Sequence, residues 1–137
     1  MDLLDRYLNA YRQQLSSQLH NIKIKSIEQV VDLLVEGYLA FFQDNPAFVS
    51  IWKGLSGTQT FKKKDVEDSR HNSCLLCELV KPHFPDVGEA KLSEALFLIC
   101  EMTGNLMPTI LVLDADEAKS FKNHLKKMIS GYMKDML

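Results

Sequence analysis

Leu3, Leu4, Tyr7, Leu8, Tyr11, Leu15 and Leu19 recur at steps of three and four, with Asp5, Arg6, Asn9, Arg12 and Gln13 between them. Apolar residues at that spacing share one stripe of a 3.6-residue helix, so the pattern predicts an amphipathic helix over about residues 2 to 20. Ser26 and Gln29 then form a capping pair, the serine oxygen taking the amide proton at Gln29 while the glutamine reaches back. A second helix follows through Val30, Val31, Leu34, Tyr38, Phe41 and Phe42. Pro46 lacks an amide proton and pushes Asn45 out of the helical region, yet it suits the first turn of a new helix. The second helix is therefore expected to stop near Asp44 and a short third one to cover about 46 to 55. Gly54 and Gly57 close it, and Gly57 is expected in the left-handed conformation of a helix end.

After the basic "FKKKD", a fourth helix is predicted from about Asp65 to His83, carrying Val66, Leu75, Leu76, Leu79 and Val80 and ended by Pro82 and Pro85. A fifth covers about 89 to 113, with a kink expected at Pro108. Asp114 with Glu117 caps the last helix. That helix carries Ala118, Phe121, Leu125, Met128, Ile129, Tyr132 and Met136 on one side and Lys119, Lys122, Lys126, Lys127 and Lys134 on the other. No segment reads as a strand. The expected fold is all-α, a six-helix antiparallel bundle forming one domain over residues 1–137.

A chain of 137 residues with 46% hydrophobic content supports one core. Sixteen Lys and Arg against eighteen Asp and Glu leave a net charge of −2, too little positive charge for this chain alone to grip nucleic acid directly. Three cysteines and no apolar leader point to a cytoplasmic chain without a disulfide framework. "ALFLICEMTGNLMPTILVL" is broken by Glu101, Asn105 and Pro108, so a buried helix is expected there and no membrane association.

"GLSGT" at 54 to 58 is not a nucleophile elbow, because no strand precedes it. The chain has neither a Glu-x-x-His pair nor a glycine-rich phosphate loop. An enzyme is therefore not expected, nor a cofactor or metal. His71, Cys74 and Cys77 lie near one face of the fourth helix; their spacing suits a thiophilic metal and ordinary packed thiols alike, and no fourth ligand accompanies them.

The fifth helix is apolar around most of its circumference: Leu92, Leu96, Ile99, Thr103, Leu106 and Ile110 form one stripe, and Phe97, Cys100, Met107 and Leu111 another. No later element remains to cover it and its neighbour, so a two-fold homodimer is expected, with a monomeric bundle as the alternative. The candidate interface is Leu96, Thr103, Leu106, Ile110, Phe121, Leu125, Met128 and Tyr132. The aromatic residues of the first, second, third and fifth helices are candidates to enclose an apolar pocket or simply to fill the core. The candidate pocket residues are Tyr11, Tyr38, Phe42, Phe48, Trp52, Leu76, Phe97 and Cys100.

The proline-started helix in "FFQDNPAFVSIWKGLSG" and the two closing helices in "KLSEALFLICEMTGNLMPTILVLDADEAKSFKNHLKKMISGYM" give the chain its family likeness. It resembles the C-terminal regulatory domain of TetR (tetracycline-repressor-like) transcriptional regulators. The resemblance implies a small-molecule effector, often apolar, bound among the central helices. It also implies a homodimer in which the last two helices of each subunit build a four-helix bundle. The first helix would transmit the ligand's presence to an N-terminal helix-turn-helix, which is expected to be missing here, so that DNA would be contacted only through that absent head. Two other readings remain: an all-α carrier of a cofactor such as haem, suggested by His71 and His83, and a stand-alone helical interaction module.

Overall fold

The computed structural model describes residues 3–136, and among them every regular element is helical. In order they are α1 (Leu3–Asn21), α2 (Ile27–Asp44), α3 (Pro46–Leu55), α4 (Gln59–Val80), α5 (Glu89–Val112) and α6 (Ala115–Asp135), with one 3₁₀ turn at Lys81–His83 between α4 and α5. The all-α, six-helix architecture expected from the periodicity is the one observed.

Most helix ends follow the chemistry of their capping residues. Ser26 Oγ accepts the Gln29 amide at 3.2 Å, and the Gln29 side chain reaches back to the Lys25 amide at 2.9 Å. Asp114 Oδ1 accepts the Glu117 amide at 2.9 Å and starts α6. Pro46 opens α3, and Asn45 donates back to the Phe41 carbonyl at 2.8 Å, closing the end of α2.

Helix α4 starts six residues earlier than its apolar pattern suggests. Thr58 Oγ1 accepts the Phe61 amide at 3.2 Å, so "FKKKD" lies inside the helix and not in a loop. Phe61 is buried there, and Lys62 finds carboxylates at Asp65 and Glu101, so the lysine run is held in place and not left as a solvated linker. The left-handed conformation expected at Gly57 is absent, since no described glycine has positive φ. The turn is closed instead by the Thr58 amide donating to the Leu55 carbonyl at 2.8 Å.

Helix α5 sits in the middle, packed on α4, α2 and α6, while α1 lies on α4 and α3, and α6 lies along α2. Its inward face, Leu92, Leu96, Ile99, Cys100, Thr103, Met107 and Ile110, is buried. Each large aliphatic side chain on such a face contributes about 1.5–3 kcal/mol from burial, which explains why a helix apolar enough to cross a membrane is held here among protein neighbours. Leu125, Ile129 and Met133 anchor α6 to the same core. Ion pairs from Lys122 to Glu36, from Lys126 to Glu36 and Asp32, and from Lys134 to Glu28 fix its register on α2, each of little energetic weight at an exposed surface.

Candidate effector cavity and dimer face

Five helices converge on one cavity. Leu8 and Tyr11 come from α1, Tyr38, Phe41 and Phe42 from α2, and Phe48 and Trp52 from α3; Asp65, Asp68 and Ser69 of α4 and Cys100 and Gly104 of α5 complete it. The four-residue step from Phe48 to Trp52 puts both rings on one face of the short proline-started helix. The rings pack continuously: Tyr11 stacks on Tyr38 at 4.5 Å, Phe41 meets Tyr11 edge-on at 5.2 Å, and Phe48 stands edge-on to Phe42 at 5.1 Å. Trp52 closes the row against Phe61 at 5.7 Å. The free volume is about 30 Å³, room for a water or two, whereas drug-sized ligands occupy several hundred, so an organic ligand would have to displace rings to enter. A polar groove of about 350 Å³ that includes Arg12, Glu67 and His71 adjoins the cavity, sharing Leu8 and Asp68 with it.

One side of the cavity is polar. Arg12 pairs with Asp68 at 3.1 Å, and Asn72 donates to Asp68 at 3.2 Å and to the Tyr38 hydroxyl at 3.4 Å. Lys62 bridges Glu101 at 2.7 Å and Asp65 at 3.1 Å, and Ser69 donates to Glu101 at 2.8 Å. Burial raises the Asp68 carboxyl despite Arg12, and it lifts the Tyr11 and Tyr38 hydroxyls and pushes the Cys100 thiol up to about 12. Burial also raises Glu101, but hydrogen bonds from Lys62, Asp65 and Ser69 outweigh it and leave that carboxyl below its usual range. Asp65 goes the other way: burial first, then the neighbouring Glu101, raises it to about 6. Between pH ~4 and about 6 the folded chain thus holds a proton on Asp65 that the unfolded chain has released. Asp65's contribution to stability is accordingly present below pH ~4 and lost as the pH rises through about 6. Thermal melts of Asp65→Asn against the parent across that window should show this declining share removed.

The structure brings together Tyr11, Tyr38, Phe42, Phe48, Trp52 and Cys100 of the expected pocket residues. Leu76 lies elsewhere, fully buried in the core, and the Phe97 ring lies under the Arg70 guanidinium at 4.3 Å, so neither lines the cavity. The acidic wall was missed because α4 reads as a polar helix. Its signal is that the buried face continues through Asp68, Ser69, Asn72 and Ser73 in the same helical register as Phe61, Leu76 and Val80.

The dimer residues need correction. Leu96, Thr103, Ile110 and Leu125 point into the protomer's own core, out of reach of a second copy. Leu106 and Phe121 are half-buried, and only Met128 and Tyr132, 64% and 48% exposed, stand clear. The outward side of α5 carries instead Leu98 and Val112, 57% and 71% exposed. His71 and Cys74 are exposed while Cys77 is buried, its sulfur accepting from Ser93 at 3.5 Å. Among the described residues no group of three His, Cys, Asp or Glu side chains is placed to hold a metal.

The described residues form an all-helical domain with a cavity lined largely by aromatic rings. A family model described as the tetracyclin repressor-like C-terminal domain matches residues 25–137, and the chain belongs to that family. It is therefore a regulator domain and not an enzyme. No curated protein and no solved structure matches the chain.

Proposed function

We propose that the chain is the effector-sensing and dimerising part of a tetracycline-repressor-like regulator, working in the cytoplasm and binding a small, largely apolar molecule in the cavity among α1 to α5. The observation that carries this reading is the row of packed rings from Tyr11 to Trp52, drawn from three helices onto one small cavity with a polar wall. Two copies join through the outward sides of α5 and α6, where Leu98, Val112, Met128 and Tyr132 are exposed. Because Leu8 and Tyr11 belong to α1, an occupant that spreads the rings bears directly on that helix. A DNA-reading element joined ahead of α1 in a complete regulator would be moved through it. The ligand shifts that equilibrium only to the extent that it binds one arrangement of α1 better than the other.

Trp52 is the sole tryptophan and stands in the cavity wall, so its emission reports on occupancy. Titration with a diverse set of apolar compounds should yield saturable quenching or spectral shifts for a subset. Tyr38→Ala, which removes the ring stacked on Tyr11, should weaken those ligands about ten-fold or more. A flat response across the whole set would mean that the rings are only core.

A further inference from the structure

We infer that the occupant of this cavity is an amphipathic amine, a protonated ammonium head on an aromatic or alkyl body, an inference that rests on the cavity being an effector site. Two carboxylate residues, Asp65 and Asp68, line the cavity, and no Lys, Arg or His does. Arg12 reaches Asp68 from the adjoining groove, while Asp65 and Glu101 share the single ammonium of Lys62. Three carboxylates thus face two cations, and the deficit of positive charge falls beside Asp65. Burial together with Glu101 lifts the Asp65 carboxyl, as expected where one more cation is wanted.

The second observation is independent of the acids. The Tyr11 hydroxyl, in the cavity wall, is wholly buried and makes no well-formed hydrogen bond, although the Tyr38 hydroxyl stands near it. A phenol can give or take a hydrogen bond, so it accommodates an N–H donor placed beside the carboxylates. An ammonium supplies N–H donors and charge together, and the faces of Tyr, Phe and Trp rings favour a cation near them. A carboxylate head would meet Asp65 and Asp68 with no cation in the lining to receive it.

Three probes with the same body separate these cases: phenylbutylamine, phenylbutanol and phenylbutyrate, titrated at neutral pH against Trp52 emission and by calorimetry. The amine is expected to bind about ten-fold tighter than the alcohol, and the butyrate weakest. Asp65→Asn should cut the advantage of the amine to about two-fold and leave the alcohol's affinity as it was. Asp68→Asn, which also gives up the Arg12 pair, is the second variant and should act in the same direction. Alcohol binding equal to or tighter than amine binding, tightest binding by the butyrate, or an amine preference that survives both substitutions overturns the inference and leaves the effector site standing. Failure of all three probes to bind overturns the inference, and a flat response across the diverse apolar set as well overturns the effector site with it.

Discussion

Met128→Asp should turn a dimer into a monomer at micromolar concentration while keeping the far-UV spectrum of the parent, as read by size exclusion with light scattering. Met128 is exposed in the protomer, so a carboxylate there stays hydrated in the isolated subunit and costs the fold little. In a dry contact between two copies built on Leu98, Val112, Met128 and Tyr132, the same carboxylate would lose its water. Burying it costs several kcal/mol, enough to weaken association about a thousand-fold. Phe121→Asp is a poorer test, because Phe121 packs against the core of its own protomer and its loss mixes folding with association. An undiminished dimer mass for Met128→Asp would remove the outward side of α6 from the interface.

The helices were legible because their information is local. Ser26 and Asp114 each cap the helix that follows within three residues and Pro46 starts α3 by its own ring geometry, whereas the Thr58 cap of α4 went unread and that helix was expected to begin at Asp65. The aromatic half of the cavity was also legible, since large rings in a chain of this size must converge somewhere inside. Its acidic half was not. Asp68 and Asn72 look like solvated helix residues until α1 supplies Arg12 and α2 supplies Tyr38, partners dozens of positions away along the chain. Leu96, Thr103 and Ile110 of the expected dimer face turn inward for a related reason. A helix apolar on nearly every side has no strong direction of its own, so its rotation is set by α2 and α4, which take Leu96, Thr103 and Ile110 for the core.

That rotation can be measured. Leu96 and Leu98 differ by two positions, about 200° around a helix, and the structure puts one wholly inside and the other 57% in solvent. Leu96→Ala leaves a hole among the buried side chains of the central helix and should lower the unfolding free energy by about 3 kcal/mol, within the range of about 2–5 for such truncations. Urea unfolding should show that loss in a Met128→Asp monomer as well as in the parent, because the missing contacts lie within one protomer. Leu98→Ala should be nearly silent in the monomer, within about 0.5 kcal/mol, and should destabilise the parent only through association, with a midpoint that moves with protein concentration. Equal losses for the two substitutions in the monomer would mean that α5 is turned differently from the arrangement described, and the assignment of Leu98 and Val112 to the outward face would fall with it.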